Sequence, residues 1–205
     1  MKVKQQTKTA SKSRGKSTAK SGSGSRSSSK SRSRSTSKSK VDGLKYKLHQ
    51  EVVYPLHGVG HIRSIEERPF QGKPLLYYII YIEALDMTVM VPVDRADELG
   101  IRAIVSMRES RKALQLISED YEPVPTDWKM RYQMNLDLLK SGSVLDIATV
   151  VRTLYHRSKI KELPILERKL FDNALRLLID EISFSLRKEK TEVEQLIFSK
   201  MEEEN

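Results

Sequence analysis

Residues 75–82 read LLYYIIYI, eight consecutive apolar, β-branched or aromatic residues without a charge. A nearly continuous run rich in β-formers and closed at both ends by turn residues reads as a strand. Gly72-Lys73-Pro74 turns the chain into it, and Ala84-Leu85-Asp86 turns the chain out of it. Further strands flank it. Upstream, Val52-Val53-Tyr54 leads into a Pro55 to Gly60 turn broken by Gly58 and Gly60, and His61 to Arg68 follows with Ile62 and Ile65. Downstream, Met87 to Val93 is another strand. Four or five short strands at a spacing of roughly ten residues predict a small, strongly bent sheet or barrel.

After Gly100 the pattern turns helical. Ser106 and Glu109 are spaced as a capping box ahead of Ala113, Leu114 and Ile117. An acidic stretch carrying Pro123 and Pro125 follows and is expected to be an interdomain linker, because proline stops both helices and ladders. Four more helices are expected. The first, over 127–140, carries Trp128, Tyr132, Leu136 and Leu139 and stops at Gly142. Ser143 with Asp146 starts the second, Pro164 opens a long third, and Thr191 with Glu194 caps the last. The chain is thus expected to be α+β, a small bent β-sheet domain followed by a compact all-α domain. The divisions are a tail over 1–42, a β domain over 43–117, a linker over 118–126 and a helical domain over 127–205.

The formal charge of +10 does not belong to the fold. Residues 1–40 hold 13 of the 37 basic residues and no acid, which leaves 24 basic against 27 acidic residues, a net of −3, in the rest. A Lys/Arg/Ser-rich segment with almost nothing apolar cannot offset its ordering entropy, so disorder is expected there. Thirteen unopposed cations make it a nonspecific polyanion arm, with a solubilising spacer as the plain alternative. No cysteine is present, which removes disulfides, thiolate metal sites and cysteine nucleophiles. No secretory h-region or membrane-length apolar run appears, so a cytoplasmic, nucleoid-associated protein is expected.

Catalytic chemistry finds little support. Four histidines are available, and His57 and His61 flank turn glycines, where helical i, i+4 metal geometry does not apply. Gly-rich phosphate loops, nucleophile elbows and zinc spacings do not occur. Asp94, Asp97 and Glu98 are explained by a solvated helix start. No enzyme, cofactor or metal is expected.

A family resemblance joins the two halves. Val52-Val53-Tyr54-Pro55, His57-Gly58-Val59-Gly60, the long apolar strand and Thr88-Val89-Met90-Val91-Pro92 resemble the N-terminal domain of the CarD/CdnL family of bacterial transcription regulators. In the second half the resemblance continues through Asp127-Trp128, Arg131-Tyr132, Asn135, Ser141-Gly142, Val150-Val151-Arg152 and Glu167-Arg168-Lys169, covering about residues 45–187.

The resemblance implies a Tudor-like (SH3-like) β domain that binds the β subunit of RNA polymerase, with Arg68 and Met90 at the family's contact positions. It also implies a helical domain that meets promoter DNA at the upstream edge of the melted bubble, where Trp128 matches the family's minor-groove wedge. Some members carry arginine and lysine where this chain has Met130 and Gln133, so the flanking charge falls to Lys129 and Arg131. Lys159, Lys161, Arg168 and Lys169 are further phosphate candidates. Ordinary alternatives are a turn arginine for Arg68, a core methionine for Met90, a core anchor for Trp128 and a solvated face for the lysines. A monomer that stabilises the open complex is expected. The rival is a nonspecific RNA- or DNA-binding adaptor built from a small β-barrel and a basic arm. A repair-coupling adaptor shares the β module but would need a motor that this chain lacks.

Overall fold

The computed structural model describes residues 43–119 and 124–202. The basic tail and its expected disorder lie outside these residues. The chain is α+β, and its described residues form a five-stranded antiparallel sheet followed by five helices. Strands β1 (Glu51–Tyr54), β2 (Gly58–Phe70), β3 (Lys73–Ile82), β4 (Met87–Pro92) and β5 (Arg102–Ala103) lie in the order β4-β3-β2-β1-β5. The apolar run at 75–82 is most of β3, which pairs with β2 on one side and β4 on the other.

Alternation sorts the sheet into two faces. Tyr78, Ile80 and Ile82 are fully buried, and with Val52, Ile62, Val91, Ala96 and Ile101 they make a compact β core. Tyr46 closes this core, its hydroxyl donating to the Ile101 carbonyl at 2.7 Å. Between Ile62 and Ser64 the register with β3 shifts by one residue, a bulge that bends β2 over the core.

Helices α1 (Met107–Ile117), α2 (Trp128–Ser141), α3 (Val144–Ile160), α4 (Ile165–Leu186) and α5 (Lys190–Glu202) surround a second core. Ser106 and Glu109 form the expected capping box on α1, and Ser143 caps α3 by accepting from the Asp146 amide. Gly142 ends α2 in the left-handed conformation, at φ 73°. Two boundaries differ from expectation. Pro164 is the residue before α4 and not its first turn, and α5 starts ahead of Thr191, because the Val193 amide already bonds back to the Glu189 carbonyl. Thr191 therefore sits inside the first turn and caps nothing.

The place of α1 also differs from the expected division. Ala113, Leu114 and Ile117 are buried in the helical core, not the β core, so the Pro-rich stretch connects two helices of one packing unit. A proline loop inside a domain and one between domains share a composition, which is why the break alone misplaces the helix.

The two cores are clasped together. Pro55 occupies a slot in which a Cβ on Gly100 would approach its Cγ to 2.9 Å and one on Gly142 to 3.3 Å. The Arg102 guanidinium crosses from β5 to the Gly142 carbonyl and to Glu181 of α4, and Arg176 of α4 donates to the His57 carbonyl at 3.3 Å. The Val-Tyr-Pro to Gly-Val-Gly motif is thus the seat of the interdomain contact.

Candidate nucleic-acid interface and sheet-edge surface

Trp128 is the first residue of α2, held there by Asp127, whose carboxylate accepts from the Lys129 amide at 2.9 Å. An Asp at this position satisfies a free amide and complements the positive helix end. The indole is 40% exposed, with the Lys129 ammonium 5.9 Å from its ring. Met130 and Met134 are further exposed apolar side chains of α2. Trp128 is therefore not a buried core anchor.

Arg131 requires a correction. Expected on the surface as a flanking cation, it is 2% exposed and forms a bidentate pair with Glu167, itself fully buried, at 2.7 and 2.9 Å. Burying a guanidinium without a partner is prohibitive, and the fork of Glu167 satisfies it. It is unavailable to a phosphate. Gln133 is exposed and donates to Asp137 at 2.9 Å.

The remaining cations line the junction of α3 and α4. Lys159 stands 4.9 Å from the Tyr155 ring, Lys161 follows the end of α3, and Arg168 and Lys169 are exposed on the first turns of α4. Among them lie two apolar side chains that sequence reasoning does not single out, Ile160 and Ile165, the latter 76% exposed, and Leu166, expected on the apolar stripe of the long helix but 47% exposed. Because Arg131 joins the first turns of α2 and α4, Trp128 and Ile165 lie at the same end of the bundle.

On the sheet, β4 hydrogen-bonds only with β3 and is an edge strand. The register pairs Met90 with Ile79 and Ile79 with Ser64, while Arg68 pairs with Leu75. Alternation then puts Met90, Tyr77, Glu66 and Arg68 on one face of the sheet. Met90 is 49% exposed, so it is not a core residue. Arg68 donates to Glu66 at 2.7 and 3.1 Å, and these bonds, followed by one from Ser64, hold the Glu66 carboxyl below its ordinary range. Elsewhere His57 bonds the Pro55 carbonyl and stacks on Tyr54, and His61 meets the edge of Tyr81. Among the described residues no group of histidines and carboxylates is arranged to hold a metal ion, and no helix is long and apolar enough to cross a membrane.

Comparison with known proteins follows the same division. Residues 46–105 match the model of the CarD-like/TRCF RID domain, a Tudor-like module, and residues 112–198 match that of the CarD C-terminal domain. The second match includes the C-terminal half of α1, which carries Ala113, Leu114 and Ile117, in keeping with its packing. A Bacillus subtilis protein named "Putative transcription factor YdeB" is 33% identical over 137 residues, which span 67% of this chain and 90% of that relative.

Proposed function

The chain belongs to the CarD-like family of transcription factors, and from that premise we propose that it is a non-enzymatic regulator that stabilises the open promoter complex. In this reading the sheet face carrying Arg68 and Met90 binds the RNA polymerase β subunit. The helical domain meets promoter DNA at the upstream edge of the bubble, and the protein acts as a cytoplasmic monomer without a cofactor. Edge strand β4 offers unpaired main-chain groups and Met90 an adaptable apolar contact, a surface suited to strand addition.

The observation that carries the proposal is the exposed indole of Trp128 at the first turn of α2, beside Lys129. A flat apolar ring at a groove replaces stacking lost when a base step opens, an exchange of about a few kcal/mol. Tethering to polymerase raises the local concentration of the helical domain at the DNA fork. Binding the open state better than the closed one then slows bubble closure. Lys159, Lys161, Arg168 and Lys169 add backbone affinity in this arrangement, with Arg131 withdrawn from the set.

The test is the lifetime of open complexes of the cognate polymerase on a ribosomal RNA promoter after competitor is added. The protein should lengthen it, and Trp128→Ala should abolish most of the gain. An unchanged lifetime with wild-type protein removes this function.

A further inference from the structure

Arg131 lies one turn beyond Trp128 on α2, yet its side chain points inward and ties the segment entering α2 to α4. Its Nε and Nη2 donate to the two oxygens of Glu167 in the first turn of α4, at 2.7 and 2.9 Å. Its Nη1 donates to the carbonyl of Pro125 at 2.8 Å and that of Thr126 at 3.3 Å. Those two residues are the last before Asp127, the cap of α2, and Trp128 follows directly. A planar guanidinium with a fixed fork is the side chain suited to holding several acceptors at set angles.

We infer that the Arg131–Glu167 pair is the positioning device of the Trp128 indole, fixing the chain on both sides of it against α4. The inference rests on the reading of Trp128 as the DNA wedge. A helix start is where fraying concentrates, and a ring with 40% of its surface exposed has limited packing of its own to orient it. The pair counters both. Burial of an ion pair adds little net stability over an apolar pair of similar volume, so its distinctive contribution is geometric. A wedge must meet an opened base step at one height and tilt, and misplacement by about 1 Å is enough to forfeit much of a site's effect. Arg131 thus serves DNA binding from inside the domain.

The chain's single tryptophan makes this measurable without DNA, since all indole fluorescence comes from Trp128. The variant of choice is Arg131→Met combined with Glu167→Leu, which replaces the pair by apolar volume and leaves no buried charge. Expected are native far-ultraviolet dichroism with cooperative melting, stronger acrylamide quenching, a faster component in the anisotropy decay, and loss of most of the open-complex lifetime gain. Glu167→Gln, which weakens one arm of the fork, should shift the same signals less and serves as the second variant if the first fails to fold. A folded variant whose quenching and anisotropy match the wild type overturns the inference, even if its lifetime gain is lost. Should wild-type protein fail to lengthen the open complex, the DNA-wedge reading falls, and the fluorescence of the free protein still decides whether the pair orients the indole.

Discussion

Arg102 and Glu181 meet across the boundary between sheet and helices, with Nη2 2.8 Å from Oε2 and the carboxylate only 1% exposed. Glu181 also accepts from the Val105 amide at 3.2 Å, so one buried carboxylate organises the crossing from β5 into α1. Removing the cation leaves that charge buried with a single donor. Arg102→Ala should therefore destabilise the protein by about 3 kcal/mol, the lower part of the range for a broken buried pair, because Arg102 is itself 28% exposed. Urea unfolding measures this. A loss under about 1 kcal/mol, the size of an exposed pair, would mean that water compensates Glu181.

Gly58 and Gly72 both have positive φ, at 108° and 78°, but in different surroundings. A Cβ on Gly72 meets nothing within 4 Å, whereas one on Gly58 would stand 3.3 Å from Asp180 Oδ2 and 3.4 Å from Arg176 Nη1. Gly72→Ala should lose about 1–2 kcal/mol through backbone strain alone. Gly58→Ala should lose more, because it also presses on α4. Equal losses in parallel denaturation curves would show that α4 yields freely there.

The depressed Glu66 carboxyl sets the sign of one pH effect. With its folded value below the unfolded one, the Glu66–Arg68 contribution is present above the ordinary carboxylate range and fades as pH falls through the lowered value. In a carboxyl NMR titration Glu66 should titrate below the ordinary glutamate value, and Arg68→Ala should raise it toward that value. A wild-type Glu66 that titrates at the ordinary glutamate value would mean that Arg68 is not held on the sheet.

Met90 is exposed on an edge strand, so Met90→Asp should alter stability by no more than about 0.5 kcal/mol. If the Arg68–Met90 face binds polymerase, the same substitution should weaken β-subunit binding about tenfold, or roughly 1.4 kcal/mol. Calorimetry against the isolated β-subunit domain that receives the module separates the two. Unchanged affinity moves the interface elsewhere.

The basic segment predicts a salt effect of its own. Deleting residues 1–40 removes 13 cations and no acid. The slope of log affinity for DNA against log salt should flatten by roughly 0.9 for each phosphate that is no longer neutralised. An identical slope would make the segment a spacer.

Much of this architecture is legible in the sequence because its signals are local. The β3 run, the caps at Ser106 and Ser143 and the stop at Gly142 need only neighbouring residues to be read. Strand β5 has two residues and pairs with β1 across most of the length of the β domain, so no local pattern marks it. Arg131 looks like a surface cation only when charge is read before phase. Arg131, Asn135 and Leu139 recur at fours and are all buried, and Glu167, Leu170 and Ala174 share one buried stripe of α4. A charge in phase with a core stripe on each of two helices is the signature of an internal ion pair. Exposure of Trp128 has no such marker, since its spacing from Tyr132 and Leu136 fits a core position equally well.

The slot that grips Pro55 between Gly100 and Gly142 makes the molecule a calliper with a fixed span. Two modules on a slack tether would tolerate a range of separations between their targets. Here the sheet face and the indole keep one distance and one relative angle. On a promoter, shifting the upstream bubble edge by one base pair moves it about 3.4 Å along the axis. The same shift turns it through about a tenth of a helical revolution. In the proposed complex, spacing between the polymerase surface and the melted edge thus becomes a quantity this protein gauges, without reading a single base.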